Sequence, residues 1–264
     1  GSMLYNGEGI EINKVEAAKY TKKAADQGNC DALRNFGIML NKGEGVEMDK
    51  VEAAKYIKIA ADKGDVSAIS QYGALLYNGE GVEMNKVEAA KFCKIAADKG
   101  DCDAMYNIGI MFKNGDGVEM NKSEAIKYFK KAAKEGYEDA MFMYGLMLYT
   151  GDGIDVNMSK AAKYIKMAAD RGKIQALNHY GVMLKKGEGV EMNINEAVKY
   201  FKMAADSQNL LAMLNYGGML SNGLGVEMNK SEAAKYFKMA ADKGETQAMV
   251  HYGLMLSDGN GVEM

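Results

Sequence analysis

The sequence predicts an all-α fold of antiparallel helix pairs, and three observations carry that expectation. A Gly-x-Gly motif recurs at Gly7, Gly43, Gly79, Gly115, Gly151, Gly187, Gly223 and Gly259, always 36 residues apart and without an insertion. A fixed period of that size marks a solenoid, in which each unit touches mainly its neighbours. Inside each period, apolar residues recur at helical spacing on two separate stretches. The 264 residues include no proline, while Ala, Lys, Glu and Met abound, so helices can run without internal breakers.

The elements follow in order from one unit, 31–66. Its first half reads DALRNFGIMLNKGEG, where Ala32, Leu33, Phe36, Met39 and Leu40 form an apolar stripe. Gly43 is placed to end this first helix in the left-handed conformation. The Asn-Gly pairs at Asn78, Asn114 and Asn222 are therefore helix ends rather than hairpin turns. The second half reads VEMDKVEAAKYIKIAADKG. Asp49 is the expected N-cap, with Glu52 three residues on as its capping-box partner. Ala53, Tyr56, Ala60 and Ala61 are expected to be buried, Lys55, Lys58 and Asp62 to face outward, and Gly64 to end the helix. The same plan gives full repeats at 31–66, 67–102, 103–138, 139–174, 175–210 and 211–246, with partial repeats at 3–30 and 247–264. Gly1-Ser2 reads as an expression remnant.

Three features qualify the plan. A glycine sits mid-helix in every first helix (Gly37, Gly73, Gly109, Gly145, Gly181, Gly217, Gly253), at a cost of about 1 kcal/mol against alanine. That cost is understandable if another helix crosses closely there, with the paired alanines as the expected facing surface. In 139–174, Lys160 stands where other units have glutamate, so Asn157 must cap alone. In the stretch ADSQNLLAML, Gln208 replaces the glycine that ends the second helix. A remodelled turn with Asn209 in the left-handed position is expected, with an apolar docking patch at Leu210 and Leu211 as the alternative.

Alanine-x4-glycine, then Gly-x-Gly-Val, then a capped EAAKYFKMAADKG resembles the Sel1-like repeat, a relative of the tetratricopeptide repeat. The resemblance runs from Leu4 onward. It implies a right-handed superhelical solenoid whose concave side is lined by the first helices, and a role as adaptor or scaffold rather than catalyst. Members of this family serve in ubiquitin-ligase complexes, in bacterial signalling and virulence, and beside kinase domains. The cysteine pair that secreted, cysteine-rich members carry in each repeat is missing here, so their disulfides do not transfer.

Composition excludes several classes. A formal net charge of -3 is unlike the basic face of a nucleic-acid binder. No apolar window is long enough for a membrane span. Cys30, Cys93 and Cys102 are odd in number and form no Cys-x-x-Cys, so they are read as reduced thiols. A cytoplasmic location is expected, with the endoplasmic reticulum lumen or secretion as the alternative if a leader was removed. No enzyme signature, cofactor or metal site is expected. The two histidines, His179 and His251, stand at equivalent positions two repeats apart. Cys93 takes the place of Ile57 or Phe129 and reads as apolar filler. The methionines, 22 in number, are expected mostly on the buried stripes. The Gly-x-Gly turns lack the Gly-Lys-Ser/Thr of a phosphate loop.

Function is then sought in what the repeats do not share. On the first helices the row Asn35, Gln71, Asn107, Met143, His179 and Asn215 varies from repeat to repeat. So do its neighbours Tyr106 and Phe142, and Tyr77 and Tyr149 further along the same face. A carboxamide can donate to a peptide carbonyl and accept from a peptide N–H at once. The row therefore predicts a groove for a protein or extended peptide segment, with the aromatics supplying side-chain pockets. Head-to-tail self-association into a structural spacer is the alternative, because neither end carries a polar capping repeat. A regulatory segment of a larger protein, such as a ubiquitin-ligase subunit or a kinase, is another.

Overall fold

A computed structural model describes residues 12–259 and 261, so the Gly-x-Gly motif at Gly7 lies outside the described residues. Fourteen helices and no strand occur among the described residues. They fall into two compact units, one ending at Glu135 and the other beginning at Gly136. The first contains α1 (Lys14–Asp26), α2 (Cys30–Lys42), α3 (Lys50–Asp62), α4 (Val66–Asn78), α5 (Lys86–Asp98), α6 (Cys102–Asn114) and α7 (Lys122–Lys134). The second contains α8 (Glu138–Thr150), α9 (Met158–Asp170), α10 (Ile174–Lys186), α11 (Ile194–Asp206), α12 (Leu210–Asn222), α13 (Lys230–Ala241) and α14 (Thr246–Ser257). Within each unit, every helix packs on the next in the chain, as in an α-helical repeat solenoid.

The helix ends are built as the sequence predicts, with one difference. Gly43 ends α2 at φ 70°, and Asp49 accepts the Glu52 N–H at 2.9 Å to open α3. Asn157 likewise caps α9 by accepting the Lys160 N–H. The capping glutamates do not bond back to the N-cap N–H. That N–H donates instead to a carbonyl of the preceding helix, as from Asp49 to Leu40 and from Asn121 to Phe112. It thereby satisfies one of the carbonyls that a helix C-terminus leaves open. The freed glutamate meets the cap side chain instead, as between Asn229 and Glu232 at 3.2 Å.

The core lies between the helices of each pair. On α6, Ala104, Met105, Ile108 and Met111 are at most 2% exposed, and they meet Ala125, Phe129, Ala132 and Ala133 of α7, which are fully buried. Gly109 explains how closely the two helices approach. A Cβ placed there would stand 2.7 Å from the Phe129 ring. The partner of the mid-helix glycine is thus a bulky side chain lying across it, rather than the paired alanines alone. Ile165 and Phe201 lie across Gly145 and Gly181 in the same way.

Tyr56, expected in the buried face of α3, is half-buried, whereas Ala54 and Ile57 are buried. Its ring meets Phe36 edge-on, and its hydroxyl donates to Asp26 at 3.3 Å. Equivalent edge-on pairs join Tyr72 to Phe92, Tyr144 to Tyr164, Tyr180 to Tyr200 and Tyr216 to Tyr236, with centroids 4.8–5.0 Å apart. Where Ile108 replaces the first aromatic, Tyr128 stacks on Phe112 instead.

Two other expectations are corrected. Gln208 itself adopts the left-handed conformation, at φ 65°, while Asn209 is extended and caps α12 by accepting the Ala212 N–H. The turn therefore keeps the geometry of its counterparts. Met39, Met111, Met147, Met183, Met219 and Met255 are buried, but Met48, Met84, Met120, Met192 and Met228 are 60–64% exposed. Those five follow the Gly-x-Gly turn, outside the helical stripe.

Candidate functional site

In the first unit the variable face is carried by α2, α4 and α6. Tyr77 on α4 and Tyr106 and Asn107 on α6 line one cavity of about 310 Å³ with mostly apolar walls. Ala74, Met111 and, from α5, Cys93 are among its other lining residues. The cavity exists because small side chains coincide there. Cys93 stands where the other described pairs carry Ile57, Phe129, Ile165, Phe201 and Phe237. Ala74 stands where they carry Ile38, Ile110, Leu146, Val182, Gly218 and Leu254. The Cys93 thiol is 1% exposed, and burial pushes its pKa up to about 11. It is therefore a neutral apolar wall and not a nucleophile.

Tyr77, one wall of the cavity, is held by a charged pair. Tyr77 donates from its hydroxyl to Asp116 Oδ2 at 2.8 Å, and Lys86 Nζ donates to Asp116 Oδ1 at 2.6 Å. The ammonium also lies 4.9 Å from the centre of the Tyr77 ring. These contacts, the Lys86 hydrogen bond foremost, hold the Asp116 carboxyl below its ordinary pKa. Tyr77 is raised in turn, chiefly because its hydroxyl bonds that carboxylate. Tyr106 leans on Phe129 with centroids 5.8 Å apart. Asn107 is half-buried.

One repeat earlier, the positions of Tyr77 and Asn107 are taken by Asn41 and Gln71. Asn41 Oδ1 and Gln71 Oε1 are enclosed and accept no hydrogen bond from the protein. Native structures rarely leave buried acceptors unpaired. Asn35 is exposed on α2 and does not line the cavity.

In the second unit several variable residues are engaged within the fold. Phe142, expected to offer an aromatic surface, is only 8% exposed, and the His179 ring packs on it at 5.3 Å. His179 reaches solvent, yet the protein around it desolvates the ring enough to lower its pKa. Asn178 is buried and accepts from Asn215 Nδ2 at 3.0 Å, so that carboxamide pair serves its own fold. Tyr149 donates to Glu188 at 2.6 Å, which raises the phenol. Met143 is half-buried.

Sequence comparison of the repeats finds Tyr77, Tyr106 and Asn107 but misses Asn41, Ala74 and Cys93 as features of the site. For Ala74 and Cys93 the signal was side-chain size at equivalent positions rather than polarity. Among the described residues, no group of three or more His, Cys, Asp or Glu side chains is placed to hold a metal ion, and no helix is long and apolar enough to cross a membrane.

The Sel1 repeat model matches the chain seven times in succession, at residues 1–29, 30–65, 66–101, 102–137, 138–173, 174–209 and 210–245. A Sel1 repeat protein from Oxalobacter formigenes superposes with a TM-score of 0.81 at 27% identity, covering 98% of this chain and 74% of that one. The protective antigen c5321 of uropathogenic Escherichia coli, which displays this repeat fold, superposes at 0.64 with 26% identity, covering 99% of this chain and 64% of its own. A Klebsiella pneumoniae protein described as a Sel1 repeat protein, 18% identical with a TM-score of 0.51 over 76% of this chain and 98% of its own, shares the fold. No curated protein sequence matches the chain.

Proposed function

The chain belongs to the Sel1 repeat family, whose members are in general protein–protein interaction scaffolds, and we propose on that premise that it docks an extended protein segment along its first-helix face. The observation that carries the reading is the convergence of Tyr77, Tyr106 and Asn107, at positions that vary between repeats, on a single cavity. Turns, caps and core are repeated and account for the scaffold. The unshared first-helix residues are what can confer selectivity. The proposed role is non-enzymatic, in line with a fold that is typically a non-catalytic scaffold.

Each carboxamide contact to a peptide backbone contributes about 0.5–1.5 kcal/mol net. A few such contacts and one buried side chain, less the cost of ordering a flexible segment, give an affinity of roughly micromolar order. The test is selection of displayed random linear peptides on the full chain. Selected peptides should lose binding to Asn107→Ala with Tyr106→Ala, and keep it when Lys55, Lys91 and Lys127 on the second helices become glutamate. The opposite pattern would move the docking surface to the second helices.

A further inference from the structure

We propose that the Cys93-floored cavity of the first unit is the anchor pocket of this docking face, and that it receives one aromatic side chain of an extended peptide. The proposal rests on the docking reading and says where recognition is concentrated and what chemistry it selects. Three observations converge on it. The cavity is apolar and, at about 310 Å³, lies at the bottom of the ~300–1,000 Å³ range of ligand clefts. That size suits a single large side chain better than a cofactor.

The walls favour an aromatic ring. Cys93 and Met111 bring two sulfurs, and Tyr77 and Tyr106 bring two rings, to the same space. Sulfur–aromatic and aromatic–aromatic contacts both reward a planar guest beyond its buried area. No charged residue is among those lining the cavity, and the Asp116 carboxylate that Tyr77 bonds is already shared with Lys86.

One unit earlier, the same register lacks these aromatic walls. Asn41 and Gln71 take the positions of Tyr77 and Asn107 there, and their amide oxygens are enclosed. In the second unit Phe142 packs on His179, and Asn178 pairs with Asn215.

Cys93→Phe tests the proposal, because the scaffold already carries phenylalanine at this position in Phe129, Phe201 and Phe237. The variant fills the cavity from its floor. Cys93→Ile, matching Ile57 and Ile165, is a second variant should the ring fail to seat, and melting by circular dichroism shows which is folded. Peptides selected on the wild-type chain should share an aromatic residue. Its replacement by alanine should weaken binding about tenfold or more. A folded cavity-filled variant should show a loss of similar size, while Lys199→Ala on the exposed face of α11 leaves binding unchanged. Selected peptides that bind the filled variants as well as they bind wild type would overturn the anchor pocket and leave the docking face standing. If no peptide is enriched, the docking reading fails and the pocket with it.

Discussion

Gly109 shows how a single residue sets the spacing of a helix pair. The Phe129 ring covers the space a Cβ would need, and both residues are buried. Gly109→Leu must therefore move the ring or the helix, at a cost of about 3 kcal/mol in this close-packed interior. A fall in the urea midpoint with unchanged slope is expected, and an unaltered midpoint contradicts this account. Asp116 poses a different kind of test at the same scale. Its pKa is depressed, so the stability it contributes is present above the ordinary carboxylate value near 3.9 and is lost as pH falls toward its folded value. In Asp116→Asn that loss is absent. The melting-temperature advantage of wild type over the variant should therefore shrink between about pH 6 and pH 3. Partial exposure keeps the difference modest. A gap that stays constant across this range would show that the pair with Lys86 contributes nothing.

At the level of the helix pair, the left-handed end of each second helix is the informative feature. Gln208 is the one non-glycine residue with positive φ among the described residues, where Gly28, Gly64, Gly100, Gly136, Gly172 and Gly244 serve elsewhere. A side chain in this conformation costs roughly 1–2 kcal/mol. The exposed hydrogen bond from Lys243 to Gln208 at 2.6 Å returns about 0.5 kcal/mol or less. Gln208→Gly should therefore stabilise the protein by up to about 1 kcal/mol, read as a higher melting temperature, and a lower one would show that the lysine contact outweighs the strain. Local propensity pointed to Asn209 for this role, but the 36-residue count fixes the position that must turn, and Asn209 is needed as the next N-cap. Caps, turns and stripes were legible because each depends on residues within a few positions. The destination of the N-cap N–H groups was not, because the Leu40 carbonyl is presented by another helix. The same limit governs the site. Tyr77 and Asn107 could be found by their variation. Phe142 and Asn178, however, lean inward at a position where Arg34 and Tyr106 remain half-buried, and helical spacing does not decide between those outcomes. The Cys93 cavity is a sum of small residues on different helices, which no single stretch reveals.

For the whole molecule, the repeat plan makes stability nearly one-dimensional. Consecutive helices supply almost all the packing within each unit, so a lesion is felt by its neighbours and fades beyond them. Native-state hydrogen exchange of Gly109→Leu can resolve this directly. Amides of α6 and α7, such as those of Met111 and Phe129, should lose protection by a factor reflecting the ~3 kcal/mol of overpacking, about a hundredfold. Amides of α12 and α13, such as those of Met219 and Phe237, belong to the other compact unit and should keep their wild-type protection. Equal loss in both would mean that the chain opens only as a whole, and the two units would then be one cooperative block. The outcome also bears on function. A first unit able to open on its own could yield around the Cys93 cavity as a peptide enters, while the second unit, its variable side chains bonded to one another, stays folded.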